Sequence, residues 1–207
     1  YAVQGSDVLI GVGARFDDRV TGNVAKFAPH AKIIHIDIDP ASISKTVRVH
    51  VPVVSDVKRA IVALSGLLSD KRPDMKEWLA QIKGWKEKHP MKYEKSGAAI
   101  HPAYIIEQIG ELTKHQAIVV TGVGQHQMWT AQWYRFDRPR TMLTSGGLGT
   151  MGYGFPAAIG AQLGRPKDTV VCIEGDGSFQ MTMTELATAA FNKVPVKTFI
   201  LDNGYYG

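Results

Sequence analysis

The chain has 207 residues, of which 44% are hydrophobic and 21% are charged, a size and composition that predict a packed globular protein with one large or two modest domains. No apolar run reaches the roughly 18 residues that a membrane-spanning helix needs, and the single cysteine, Cys172, excludes a disulfide within the chain. The net charge is +5, and many of the lysines lie between residues 71 and 95, where they are interleaved with acids and tryptophans. This pattern is typical of a solvated helix, so nucleic acid is not an expected partner.

The N-terminal third reads as strands joined by short turns. An apolar strand over residues 7–13 ends in glycines, and a second over residues 32–37 ends in Asp37. A glycine turn followed by an acid at the end of the next strand is typical of dinucleotide binding, but the third glycine of that pattern is absent. The residues alone leave a dinucleotide site and a structural turn both open. A third strand, 47–54, leads to Ser55, the predicted N-cap of a helix over 57–68.

Residues 71–100 differ in character from the segments on either side. Prolines at 73 and 90 break the helical pattern, and a charged helix is predicted over 74–88 with two tryptophans at helical spacing, a pattern more typical of packing than of a ligand site. We therefore predict three segments: a first domain over 1–70, a linker over 71–100 and a second domain over 101–207.

The second domain is predicted to alternate strands and helices. A helix from Pro102 precedes strands over 117–120, 141–144, 169–173 and 196–201, with helices between them. Such alternation predicts a parallel sheet. Glycine-rich turns follow three of these strands, so they are expected to share one edge of the sheet.

The last of these turns carries a carboxylate, and the last strand is followed by an amide. Asp176 and Asn203 follow neighbouring strands of a predicted βαβ unit, which brings them close together in space. Their oxygens suit Mg²⁺, and the backbone N–H groups of Gly177 and Ser178 at a helix start suit a phosphate. The alternative is an ordinary turn in which Asp176 or Ser178 only caps the helix.

Four segments resemble one enzyme family. They are Gly175-Asp176-Gly177 with Asn203, and the stretches 122–129, 145–152 and 15–22. Together they resemble the catalytic subunit of the acetolactate synthases (acetohydroxyacid synthases), which use thiamine diphosphate. The resemblance implies an α/β fold with two incomplete, parallel-sheet, Rossmann-like domains: a central FAD-binding domain and a C-terminal thiamine diphosphate-binding domain.

The resemblance also implies site residues. Those implied to bind thiamine diphosphate are Gln125, His126, Gly149, Thr150, Met151, Asp176, Gly177, Ser178, Asn203 and Tyr205. Of these, Asp176, Asn203 and the backbone carbonyl of Tyr205 are implied to bind Mg²⁺. Those implied to bind FAD, which serves a structural rather than a redox role in this family, are Gly13, Ala14, Arg15, Phe16, Asp17, Asp37, Ile38, Asp56 and Val57.

The activity implied is decarboxylation of pyruvate on thiamine diphosphate and transfer of the hydroxyethyl unit to pyruvate or 2-oxobutyrate, in branched-chain amino acid biosynthesis. The family's activating glutamate belongs to an N-terminal domain that has no counterpart here, so we expect an internal fragment that is inactive alone. The resemblance implies a homodimer or higher homo-oligomer, with a small regulatory subunit as a further partner that the family allows. The location implied is cytoplasmic in a bacterium, or a plastid or mitochondrion in a eukaryote.

Alternatives stay open at this stage. Glyoxylate carboligase, pyruvate oxidase and 2-oxo acid decarboxylase also use thiamine diphosphate, and the residues that select the acceptor are expected outside the chain. An alternative of another class is a non-catalytic nucleotide-binding module built on the unit from Gly11 to Asp37.

Overall fold

The computed structural model describes residues 1–71, 73–94 and 99–205. It divides into two compact units, Tyr1–Met91 and Lys92–Gly207. Residues 72 and 95–98 of the predicted linker lie outside the described part, and the predicted domain limits remain predictions. No helix in the described ranges is long and apolar enough to cross a membrane.

The first unit contains a parallel sheet. Its strands are β1 (Val8–Val12), β2 (Lys32–Asp37) and β3 (Val51–Val54), and they lie in the order β1-β2-β3. Its helices are α1 (Ala2–Gly5), α2 (Asp18–Thr21), α3 (Val57–Leu68) and α4 (Lys76–Lys88), with short 3-10 turns at Val24–Lys26 and Pro40–Ser42. Because the strands are parallel, the segments that follow each of them begin at one edge of the sheet.

The start of α3 corrects one prediction. Asp56, and not Ser55, is the N-cap: its Oδ1 accepts a hydrogen bond from the backbone N–H of Arg59 at 3.1 Å. Ser55 still belongs to the sheet edge, because its backbone N–H donates to the carbonyl of Asp37 at 2.9 Å. The helix therefore begins only after that last ladder hydrogen bond.

Aromatic side chains pack α4 onto the start of the chain. The rings of Trp78 and Trp85 meet edge to face with centroids 5.7 Å apart, and Tyr1 stacks on both Trp85 and His89. The predicted tryptophan stripe is thus a packing contact.

The second unit contains a second parallel sheet. Its strands are β4 (Ile118–Thr121), β5 (Met142–Leu143), β6 (Val170–Gly175) and β7 (Lys197–Leu201), in the order β5-β4-β6-β7. Its helices are α5 (Pro102–Leu112), α6 (Gln125–Trp133), α7 (Gly154–Gly164), α8 (Asp176–Gln180) and α9 (Glu185–Phe191). The predicted α/β class with two parallel sheets is confirmed. After β4 the chain adds β5 on one side of it and then β6 and β7 on the other side. The strand order therefore reverses between β4 and β6, and ligands bind at such a point in open parallel sheets.

Both faces of the second sheet are covered, which explains why β4 and β6 are buried at every position. On one face Ile106 and Ile109 of α5 pack against Val119 and Ile173. On the other face the apolar residues of α7 pack against the alternate positions of the same strands, among them Cys172. Burial raises the pKa of the Cys172 thiol above its usual range, so this cysteine is an inert core residue.

Candidate cofactor site at the carboxyl edge of the second sheet

A cavity of about 240 Å³ opens at the carboxyl ends of β4, β6 and β7. Its walls come from the turn after β4, the glycine-rich loop before α7, the start of α8 and the segment after β7. The residues that line it are Val123, Gly124, Gln125, His126, Trp129, Gly149, Met151, Gly175, Asp176, Gly177, Ser178, Leu201, Asn203 and Tyr205. Three predicted motifs far apart in sequence therefore meet in one place.

The turn between β6 and α8 does not behave as a simple capped helix start. Gly175 occupies the N-cap position and no side chain caps the helix. The Ser178 hydroxyl instead accepts a hydrogen bond from the backbone N–H of Gly152 at 3.0 Å, which ties α8 to the glycine-rich loop. Because neither Asp176 nor Ser178 caps α8, the Asp176 carboxylate remains available to the cavity.

Asn203 reaches the same cavity from the next strand. Gly175 and Leu201 are partners in the register of β6 and β7, so the residues after them lie at one edge. The Asn203 side-chain amide donates to Gln125 Oε1 at 2.8 Å, and its Oδ1 accepts from the backbone N–H of Tyr205 at 3.2 Å. The first of these hydrogen bonds joins the segment after β7 to the start of α6, and the second lies within that segment.

Only some residues of the glycine-rich loop line the cavity. Gly149, at φ +69°, and Met151 line the cavity. Thr150 is exposed and does not line it; its backbone N–H donates to the Ser145 hydroxyl at 3.0 Å. The loop is anchored at its end because Thr182 donates its hydroxyl hydrogen to the carbonyl of Gly152 at 2.9 Å.

Two buried polar side chains lie next to one another at the cavity: His126 lines it, and Glu174 lies beside His126 without lining it. His126 Nε2 is 3.7 Å from Glu174 Oε2, and both side chains are almost wholly shielded from solvent. Burial lowers the pKa of His126 to about 4, although the nearby charge of Asp176 opposes this shift. Burial also raises the pKa of Glu174, with contacts to Ser178 and the Phe155 backbone acting in the opposite direction. At neutral pH the imidazole is uncharged.

The donor atoms in the cavity suit a metal-bound diphosphate. Among the described residues no three His, Cys, Asp or Glu side chains form a metal cluster, so a cation here depends on Asp176 together with amide and carbonyl oxygens. That is an all-oxygen donor set, which Mg²⁺ prefers when phosphates complete its coordination. Gly177 and Ser178 lie in the first turn of α8, where backbone N–H groups have no partner within the helix. The residues fit the group that the sequence implies.

Comparison with known families agrees with this geometry. Residues 122–207 match the model described as thiamine pyrophosphate enzyme, C-terminal TPP binding domain, and residues 1–64 match the central domain of the same enzymes. The chain belongs to the thiamine pyrophosphate enzyme family. Thiamine pyrophosphate is another name for thiamine diphosphate, so the family confirms the cofactor that the glycine motifs indicated.

The relatives of this thiamine pyrophosphate enzyme chain include acetolactate synthases. Acetolactate synthase 1, chloroplastic, from Nicotiana tabacum is 50% identical over 211 residues, a match that covers 100% of this chain and 32% of the relative. Acetolactate synthase from Mycobacterium leprae is 48% identical with 34% of its length covered, and the large subunit from Haemophilus influenzae is 46% identical with 37% covered. The chain spans about a third of the length of these curated relatives.

The residues implied to bind FAD lie in the unit that matches the family's central domain. Gly13 follows β1, at φ +62°, whereas Asp37 is the last residue of β2 and is followed by the exposed Ile38. Asp56 and Val57 begin α3 after β3, so these residues share one edge of the first sheet.

The side chains of the segment from Gly13 to Asp17 do not all face the edge of the sheet where the other implied FAD residues lie. Arg15 forms an ion pair with Asp17 at 3.0 Å, and Asp17 also caps α2. The ring of Phe16 points into the core, where it packs against Gly11 and meets the His35 ring edge to face. Only the backbone of Phe16, and not its ring, is therefore free to face a ligand.

Sequence reasoning missed several residues of the cavity. Trp129, Leu201 and Gly175 line it but were not among the implied site residues, although Trp129 and Gly175 belong to the motif segments. Sequence reasoning also assigned no role to Glu174, which directly precedes the glycine turn and lies beside His126 without lining the cavity. The signal for Gly175 is steric: a Cβ there would lie 2.7 Å from His126 Nδ1, so only glycine lets that ring approach the strand.

Proposed function

We propose that the parent protein of this chain is an acetolactate synthase catalytic subunit. The observation that carries the proposal is the convergence of three motif segments on one cavity whose polar lining includes Asp176, Asn203, Gln125 and His126. Relatives named acetolactate synthase are 46–50% identical over the whole chain. In this proposal residues 1–70 belong to the central FAD domain, 71–100 to a linker and 101–207 to the cofactor domain.

The chain's residues have distinct tasks in the proposed site. Asp176, the Asn203 amide and the Tyr205 carbonyl would hold Mg²⁺, and Gln125, His126 and the first turn of α8 would hold the diphosphate. Met151 would pack against the cofactor with its apolar side chain. When bound, thiamine diphosphate supplies the carbanion and electron-sink chemistry of 2-oxo acid decarboxylation. The protein's part is to orient the reacting groups, and such positioning is worth up to about 7–11 kcal/mol of a reaction barrier.

The proposed substrates are two 2-oxo acids. The donor is pyruvate, and the acceptor is a second pyruvate or 2-oxobutyrate, which places the reaction in branched-chain amino acid biosynthesis. The proposed assembly is a homodimer or higher homo-oligomer, with a small regulatory subunit as a further partner. The proposed location is the bacterial cytoplasm, or a plastid or mitochondrion if the source is a eukaryote.

The test of this proposal uses the full-length parent protein. Incubated with pyruvate, thiamine diphosphate and Mg²⁺, it is expected to form 2-acetolactate, and removal of Mg²⁺ by EDTA is expected to stop the reaction until Mg²⁺ is restored. Acetaldehyde as the main product would identify a decarboxylase, and oxygen consumption would identify an oxidase. Tartronate semialdehyde from glyoxylate would identify a glyoxylate carboligase. Each of these results would overturn the proposal.

The first unit is proposed to bind FAD as a structural cofactor. We expect the purified parent protein to be yellow and its flavin to stay oxidised during turnover. Asp37→Ala is expected to reduce the bound flavin at least tenfold, because the carboxylate at the end of β2 is the group that takes ribose hydroxyls in such folds. The measurement is the flavin absorbance per protein after gel filtration.

Asp7→Ala is the matched control for the flavin experiment. Asp7 directly precedes β1, so it lies at the opposite edge of the same sheet, and its backbone carbonyl alone pairs with Lys32. The control should keep its flavin. Equal flavin content in both variants would contradict the assignment of Asp37 to the flavin site, and a parent enzyme that stays fully stable and active once all flavin is removed would contradict the structural role.

A further inference from the structure

Glu174 occupies a slot that two glycines leave open. A Cβ built on Gly122 would lie 1.9 Å from Glu174 Oε2, and a Cβ built on Gly154 would lie 2.2 Å from Glu174 Oε1. Gly122 belongs to the turn after β4, and Gly154 begins α7. The Glu174 carboxyl therefore fills the space between two segments that lead into the cofactor cavity.

The Glu174 carboxyl lies beside His126 Nε2, a buried ring nitrogen that has no hydrogen-bond partner. His126 Nε2 and both Glu174 oxygens have no hydrogen bond of ordinary geometry, and in the described part of the second unit they are the only buried side-chain polar atoms in that condition. Of the two oxygens, Glu174 Oε2 lies 3.7 Å from His126 Nε2. Buried polar groups in folded proteins form hydrogen bonds as a rule. Two buried groups that lie side by side and form none, as His126 Nε2 and the Glu174 carboxyl do, therefore need an explanation.

A short movement would satisfy both groups. A hydrogen bond between nitrogen and oxygen has a length of about 2.7–3.2 Å, so a shift of less than about 1 Å closes the gap. His126 also lines the cavity and packs against Gly175, the residue before Asp176. Fixing the ring thus fixes the wall beside the proposed diphosphate site.

We propose that Glu174 is a positioning residue: its carboxyl hydrogen-bonds His126 Nε2 and thereby holds the imidazole in place for the diphosphate group of the cofactor. The inference rests on the proposed function, since it assigns His126 to the cofactor. Glu174 itself does not line the cavity and has no direct contact with the cofactor in this arrangement.

A double-mutant cycle in the full-length parent tests the proposal. The variants are Glu174→Met, His126→Leu and the pair, with Glu174→Gln as the conservative form, and the readout is the Kd for thiamine diphosphate at saturating Mg²⁺, measured by calorimetry. We expect Glu174→Met to weaken binding about tenfold. In the His126→Leu background the same change is expected to add less than twofold, because residues that act through one another are not additive. Glu174→Gln should stay within threefold of wild type, since its amide still bonds the ring.

Each failure has its own outcome. Wild-type protein that does not bind thiamine diphosphate would overturn the proposed function. Wild-type binding combined with a Glu174→Met effect of the same size in both backgrounds would overturn only the positioning role, because a residue that merely fills the core acts regardless of His126. If Glu174→Met fails to fold, Glu174→Gln decides, and a tenfold loss in that variant would contradict the inference.

Discussion

Replacing Asp176 by alanine in the parent enzyme is expected to weaken Mg²⁺-dependent binding of thiamine diphosphate by about 100-fold or more. Asp176 supplies the only carboxylate among the described cavity residues, so no neighbouring acid can take its place. Removing one charged partner from a desolvated site costs roughly 3–5 kcal/mol, and each 1.4 kcal/mol is about a factor of ten in affinity. Titration calorimetry of the cofactor into protein with saturating Mg²⁺ measures the change.

The control for Asp176 is a carboxylate of the same unit that lies outside the cavity. Asp137 pairs with the exposed Arg135 at 2.8 Å, and exposed ion pairs contribute little. Asp137→Ala is therefore expected to bind the cofactor as the wild type does. A Kd for Asp176→Ala within threefold of the Asp137→Ala value would show that the metal assignment is wrong.

Much of the fold could be predicted because periodic apolar patterns dominate it. The strand Lys32–Asp37 and the helix Val57–Leu68 have the predicted bounds. The second sheet also follows from its pattern, since buried parallel strands read as continuous apolar runs. Strand β5 is shorter than the predicted range 141–144, although the Thr141 carbonyl still accepts a hydrogen bond from the Val119 backbone N–H at 2.7 Å.

The composition of the cavity was predictable where a motif has a chemical reason, and unpredictable where the reason is three-dimensional. Asp176 and Asn203 could be paired from topology alone. The hydrogen bond from Asn203 to Gln125 joins residues 78 positions apart, and no spacing rule indicates it. Glu174 shows the same limit, because a glutamate at a strand end reads as a solvent-facing residue until the two glycines around it are seen to enclose it.

Those glycines show how the site constrains the sheet beneath it. The atoms nearest to a Cβ added at Gly122 would all belong to side chains, whereas at Gly154 two of the three nearest atoms are backbone atoms of the β4 turn. Side-chain ends can move aside and a strand backbone cannot. The demand for glycine is consequently stronger at Gly154, although that residue does not line the cavity.

Gly154→Ala is accordingly expected to be among the most destabilising single-methyl changes in the second unit. Its Cβ would lie 2.5 Å from the backbone nitrogen of Gly122 and 2.7 Å from the carbonyl carbon of Thr121, so α7 must move away from β4. Overpacking of this kind costs typically about 1–3 kcal/mol, and contact with backbone places this variant at the upper end. The measurement is the urea midpoint of the cofactor-free parent protein, followed by circular dichroism.

Gly160→Ala on the same helix is the matched comparison. Gly160 is exposed, and a Cβ there would meet nothing within 4 Å. Alanine is favoured over glycine in a helix interior by about 1 kcal/mol, so this variant should raise the urea midpoint slightly while Gly154→Ala lowers it. The two changes add the same methyl group to one helix and differ only in what that group meets. Equal midpoints would therefore mean that α7 does not pack against the β4 turn as described, and the slot that holds Glu174 would lose its second wall.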